Sequence, residues 1–279
     1  MTRLATPRVP TGPEMSMAAE ALRVLAGVWG DMSPSLPPGV PALEAAGLRL
    51  ESGIPALAGE PLLDGPSLVS ALREIGRRLG AVEGYEAARA ISDAVERGAS
   101  RIDAELLATA ALAGVWDDVE ALATRLDLDA HGLITLVDYA ARPALRAGAL
   151  AVAPLVAKAP WGRGTCPGCG AQAALSVRTG KEGERFLLCG RCGTGWPYPR
   201  VRCPACGERD HRRLGTLHAT GEGDYRRAEI CESCRCYVKS VAALDLPDAD
   251  GVLRLDLDTA ALDFVAIEHG YRRTTTPNG

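Results

Sequence analysis

Nine cysteines, all between residues 166 and 236 of a 279-residue chain, constrain this protein more than any other feature. Eight form four Cys-x-x-Cys pairs, Cys166/Cys169, Cys189/Cys192, Cys203/Cys206 and Cys231/Cys234, and Cys236 follows two residues after the last. A Cys-x-x-Cys turn sets two thiolates on one side of a tight loop, and two such knuckles face to face complete a tetrahedron around one metal ion. Four knuckles therefore predict two four-cysteine metal sites. A glycine after the second cysteine eases the turn because it tolerates positive φ. Gly170, Gly193 and Gly207 occupy that position, whereas Arg235 stands there in the fourth knuckle.

The knuckles alternate with short runs that read as strands: residues 174–178 and 185–188 about a turn at 179–183, then 213–220 and 225–230 about a turn at 221–224. The unit is knuckle, hairpin, knuckle, used twice. A hairpin brings its own ends together, so Cys166, Cys169, Cys189 and Cys192 are expected to form site one, and Cys203, Cys206, Cys231 and Cys234 site two. Pairing of the two inner knuckles across residues 193–202 is the alternative. Four thiolates suit zinc or a single rubredoxin-like iron alike, and such a closed site leaves no position to activate a water. Cys236 reads as a packed thiol, a spare ligand or a possible redox thiol. His211 and His218, in the second hairpin, could replace a thiolate, but eight cysteines already suffice. His131 and His269 fall on helices with no chemistry around them.

Residues 1–160 differ in kind. Apolar residues recur at helical spacing over 13–29, 41–50, from Gly65 with Leu68, Leu72, Ile75 and Leu79 inward, and over 85–97, 103–113 and 115–126. A longer helix over 133–155 is expected to kink or split at Pro143. Residues 1–12, the proline-rich stretch 31–40 and the tail 274–279 read as irregular. The acidic group Asp117, Asp118 and Glu120 reads as a solvated helix face. After Lys239 a strand is expected at 252–255 and a last helix from about 259 to 269. The predicted class is α+β: a helical domain (1–160), tandem rubredoxin-like or zinc-ribbon-like four-cysteine modules (161–240), and a C-terminal strand and helix (241–279) packed on the rest.

The net charge of −4 conceals an asymmetry. Residues 161–240 carry 14 Lys and Arg against 8 Asp and Glu, an excess of +6 that would suggest nucleic acid. Eight thiolates and two divalent ions would bring it to about +2, so the basic excess reads mainly as compensation for thiolate charge. No stretch has the apolar length of a membrane span and residues 1–15 have no apolar signal core, so a cytoplasmic location is expected, with no membrane insertion. There a Cys-x-x-Cys pair holds metal or does redox chemistry more often than it forms a structural disulfide. No P-loop, dinucleotide fingerprint or metalloprotease helix occurs.

The runs GTCPGCG, RFLLCGRCGTGWPYPRVRCPACG and AEICESCRCYVK, followed by ALDFVAIEHGYRR, resemble the formate dehydrogenase accessory protein FdhE family over residues 155–275. The order of the knuckles, with Trp196 and Arg200-Val-Arg-Cys between the inner two, carries the resemblance; Cys236 and the TTTPNG ending depart from the usual pattern. The resemblance implies a cytoplasmic, non-enzymatic maturation factor that binds the catalytic subunit of formate dehydrogenase. It implies the eight paired cysteines as ligands of two metal ions, and favours iron over zinc. The competing expectations are a zinc-ribbon nucleic-acid-binding protein and a rubredoxin-like redox protein acting through iron or Cys236.

Overall fold

A computed structural model describes residues 12–32, 42–98, 103–220 and 225–274. The expectations for 1–11, 33–40, 221–224 and 275–279 lie outside these. The chain divides into two compact units: Ser16–Lys158 with Gly168–Gly170, and Met1–Met15 with Ala159–Pro167 and Ala171–Gly279.

Among the described residues, seven α-helices make up the first unit: α1 (Gly12–Met32), α2 (Leu43–Glu51), α3 (Gly65–Leu79), α4 (Glu86–Arg97), α5 (Ala104–Ala113), α6 (Asp117–Leu126) and α7 (Ala130–Val156). Helix α1 starts at Gly12 and runs through Asp31 and Met32, beyond the expected irregular start and stop. The long α7 is the axis, with α2 to α6 packed on it; Leu133, Val137, Ala141, Leu145 and Val152 are buried along it. Local signals place the ends. Asp64, Asp103 and Asp129 each accept a backbone N–H three residues on, from Ser67, Leu106 and Gly132, which satisfies donors that a helix N-terminus leaves open.

Pro143 does not split α7. A proline withholds the N–H that would reach the carbonyl four residues back, here that of Tyr139. That carbonyl instead accepts the indole N–H of Trp29 from α1 at 3.0 Å. The missing bond is replaced by a tertiary one, and the helix continues.

The second unit is one sheet. Its strands are β1 (Leu175–Thr179), β2 (Glu184–Leu188), β3 (Gly195–Pro197), β4 (Leu214–Leu217), β5 (Arg226–Cys231), β6 (Cys236–Ala242) and β7 (Arg272–Arg273). The order is β3-β2-β1-β6-β5-β4, with β7 also on β6. Each knuckle-hairpin-knuckle unit ends in a third strand, β3 or β6, so the repeat is a three-stranded meander. The meanders stand in tandem, joined where β1 runs parallel to β6 from Leu175↔Lys239 to Arg178↔Ala242. The third strands and the junction have no counterpart in the sequence reading.

Residues 252–255 are helical, not extended. They lie in α8 (Ala249–Asp258), which is followed by α9 (Ala260–Glu268). Asp248 caps α8 by accepting the Gly251 N–H at 2.6 Å. Val252 and Leu255, three apart, then share one helix face and pack with Leu175, Val177, Leu188 and Val241. From α9, Leu262 and Ala266 pack with Ala228, Tyr237 and Tyr271. Both helices thus cover the same sheet face. Fully buried Lys239 lies beneath them, held by Asp256 at 2.7 Å and Asp263 at 2.6 Å.

Candidate metal centres

The hairpins do to the knuckles what chain geometry requires. In β1–β2, Leu175 pairs with Leu188 at the knuckle end; in β4–β5, Leu214 pairs with Cys231. Each hairpin so returns the chain beside its own start. Cys166, Cys169, Cys189 and Cys192 form one group and Cys203, Cys206, Cys231 and Cys234 another, with the sulfurs of each group within 4.8 Å of one another. The inner knuckles fall in different groups.

Individual separations test the fit to a metal. Cys166 and Cys192 sulfurs are 3.5 Å apart, and the pairs Cys203/Cys234 and Cys206/Cys231 are each 3.7 Å apart. A tetrahedron of metal–sulfur bonds near 2.3 Å has edges of about 3.8 Å, whereas a disulfide is about 2.05 Å long. The residues fit an ion of zinc or iron size, and no ligand position is left open. Both groups are able to hold metal ions. The first is almost enclosed, with only Cys169 half-buried; in the second Cys206 is exposed and Cys234 half-buried.

Backbone closes each turn. The amides of Cys166, Cys189 and Cys203 donate to the carbonyls of Ala171, Thr194 and Glu208, five residues on. The residue after each second cysteine is left-handed, with φ of 84° at Gly170, 79° at Gly193 and Gly207, and 56° at Arg235. Arg235 thus adopts the conformation that glycine supplies elsewhere. Its guanidinium donates to Glu232 at 2.6 Å, to the Tyr271 hydroxyl at 3.1 Å and to the His269 carbonyl at 2.7 Å. It also lies 4.0 Å over the Tyr271 ring.

Burial opposes ionisation of the thiols and pushes Cys203 up to about 11. Cys231 is driven upward by burial too, yet it settles below the ordinary thiol value because the amides of Cys234 and Ser233 point at its sulfur. A metal must displace the remaining protons, so binding strengthens as pH rises.

Cys236 belongs to neither group. Its sulfur is 3.6 Å from the Cys234 carbonyl, at the position that Thr194 holds in the first repeat, where the Thr194 hydroxyl lies 3.1 Å from the Cys192 sulfur. Among the described residues no histidine or carboxylate joins a metal-competent group. His211 sits in a short 3-10 turn before β4, and His269, at the end of α9, faces the Val265 carbonyl. Among the described residues, His131, Asp117, Asp118 and Glu120 join neither group.

The two modules are locked by residues that carry no metal. Buried Arg185 in β2 donates to Ser176, to the carbonyls of Pro199 and Arg202, and to Glu229 in β5 at 2.6 Å. A Cβ at Gly164 would sit 1.8 Å from the Pro204 carbonyl oxygen, so only glycine permits that approach. Nothing in the spacing singled out either residue; the extra cation in the RFLL strand was the available sign.

Two family models match this arrangement, the FdhE central domain over residues 165–200 and the FdhE C-terminal domain over residues 201–278. Residues 165–278 of the chain thus match the FdhE family. Each matched domain contains one four-cysteine group. Similar proteins include the Protein FdhE homolog of Stutzerimonas stutzeri, 35% identical over 111 residues, which are 39% of this chain and 35% of that protein. Those of Pseudomonas aeruginosa and Aquifex aeolicus are 36% and 30% identical, over 42% and 40% of this chain and 39% and 42% of theirs. The matched stretch thus spans well under half the length of each relative. The crystal structure of the FdhE protein from Pseudomonas aeruginosa shares the fold at a TM-score of 0.64 and 24% identity, over 98% of this chain and 99% of that one.

Proposed function

We propose that this protein is an accessory factor for the maturation or assembly of formate dehydrogenase, acting in the cytoplasm by binding the catalytic subunit and catalysing no turnover itself. The observation that carries the reading is the pair of closed four-thiolate groups on one continuous sheet. A site with four protein ligands and no open position staples structure or exchanges electrons; it does not activate a substrate. The match to the FdhE family supplies the link to formate dehydrogenase. In this reading Cys166, Cys169, Cys189 and Cys192 hold one ion and Cys203, Cys206, Cys231 and Cys234 the other, with iron favoured and zinc the alternative. Among the described residues no helix is long and apolar enough to cross a membrane.

The decisive experiment is affinity purification of the tagged full chain under anaerobic conditions, followed by identification of retained proteins and metal analysis. A formate dehydrogenase catalytic subunit, two metals per chain and a thiolate-to-iron visible band are expected. Absence of that subunit, together with unchanged formate dehydrogenase activity in a deletion strain, would sink the reading.

A further inference from the structure

The sheet face turned away from α8 and α9 holds a cavity of about 290 Å³. Strand register places Thr216, Glu229 and Val238 side by side there, and residues 200–204 form part of the wall. The charge is one-sided. Arg185, Arg200, Arg202 and Arg227 line the cavity against one carboxylate, Glu229, which leaves three positive charges. Glu229 is already engaged, by Arg185 at 2.6 Å and Arg227 at 3.1 Å.

Arg178 stands beside this group, paired in the sheet with Arg185 and Ala242. Burial pulls it below the ordinary guanidinium value, Arg227 adds to that, Glu229 opposes it, and Arg200 adds again. Its Nε and one terminal nitrogen are buried with no hydrogen-bond partner among the described residues. The Nε atoms of Arg202 and Arg227 and the Oγ of fully buried Ser240, which lies opposite Arg227, are in the same condition. An unmade buried hydrogen bond costs about 1–3 kcal/mol. Two of these atoms belong to the cavity-lining residues Arg202 and Arg227, while Arg178 and Ser240 stand behind the lining; the guanidinium charges on the wall outnumber its carboxylate. Compensation of the metal site does not account for them. A filled second group carries about −2, and with Arg178 counted the neighbourhood still carries a positive excess.

We propose that this cavity binds a phosphoryl group, free as inorganic phosphate or carried on a small ester. Guanidinium forks match the oxygens of a tetrahedral dianion, which offers more acceptors and more charge than a carboxylate. The volume exceeds that of phosphate alone, and Val201, Pro204 and Leu214 supply apolar wall for a short organic portion. The inference stands independently of the role in formate dehydrogenase assembly.

The test is calorimetric titration of the metal-loaded full chain with inorganic phosphate, β-glycerophosphate and acetate at fixed ionic strength. Binding of phosphate or the ester at least about tenfold tighter than acetate is expected, and the tighter of the two identifies the source. Arg200→Gln should weaken that binding about tenfold or more, with two metals per chain retained and thermal stability without phosphate little changed, because Arg200 is exposed on the cavity wall and its hydrogen bond runs to the Glu182 carbonyl. If that variant fails to fold, Arg227→Gln, also on the cavity wall, provides the same comparison. No binding at 10 mM, equal binding of acetate, or unaltered binding in the folded arginine variant would overturn the proposal.

Discussion

Single residues carry functions here that their types do not announce. Arg235 holds a left-handed turn that costs a non-glycine residue about 1 kcal/mol, and offsets it with hydrogen bonds to Glu232, Tyr271 and the end of α9. Arg235→Ala keeps the strain and loses those bonds, whereas Arg235→Gly loses the bonds and the strain. Urea unfolding of the metal-loaded protein should therefore rank wild type or Gly above Ala, with Ala about 1 kcal/mol below Gly; equal stability of Ala and Gly contradicts this account. Asp64 is a simpler case. Its carboxyl is held below the ordinary carboxylate value, first by the Ser67 amide and then by the Ser67 hydroxyl. A depressed folded-state value means that the stabilisation is present above the unfolded value of 3.8 and fades as pH falls through the folded one. Asp64→Ala should cost about 1 kcal/mol at pH 7, and the gap to wild type should hold down to about pH 4 and narrow below. A gap that widens on acidification refutes it. The helix start at Gly65 was legible in the sequence, whereas the Asp64 cap emerged only with the structure. The conformation of Arg235 was legible only as a break in the glycine pattern, because two of its three hydrogen-bond partners, His269 and Tyr271, lie far along the chain.

At the scale of elements, α7 shows how a tertiary contact overrides a local rule. Pro143 frees the Tyr139 carbonyl and the Trp29 indole fills it, while the Arg142 and Arg146 guanidinium groups lie 5.8 and 4.5 Å from the Trp29 ring. Trp29→Phe should destabilise the helical unit by about 1–3 kcal/mol through the orphaned carbonyl. In the Pro143→Ala background the helix supplies its own N–H, and the same change should cost less. A double-mutant cycle from thermal unfolding reads the coupling, and additive effects would remove the hydrogen bond from the explanation. The helix at 249–258 was misread for a related reason. The sequence Val-Leu-Arg-Leu alternates like a strand, but the Asp248 cap and the contacts of Val252 and Leu255 with the sheet select the helix.

For the whole molecule, the helical unit has an apolar core of its own, whereas the sheet unit relies on knuckles whose ends are held by sulfur. Removing the metals with a strong chelator should leave helical circular dichroism largely intact and render residues after about 160 protease-sensitive. A metal-free sheet that resists protease as before would show that the ions do not support it. The second group, with Cys206 exposed, should release its ion first, so that Cys231→Ser and Cys189→Ser each reduce the metal content to about one per chain but only Cys231→Ser abolishes the fast phase. The sequence by itself determined the two classes of unit, most helices, both hairpins and the grouping of eight cysteines, because periodicity, caps and ligand spacing act over a few tens of residues. Tertiary structure alone decided that the repeats share one sheet through β1 and β6, that Arg185 and Gly164 lock them, and that arginines from β2, β5 and the 200–202 segment line one cavity with Cys236. Those features depend on strands distant in sequence lying about 4.8 Å apart in register, and no local pattern encodes that.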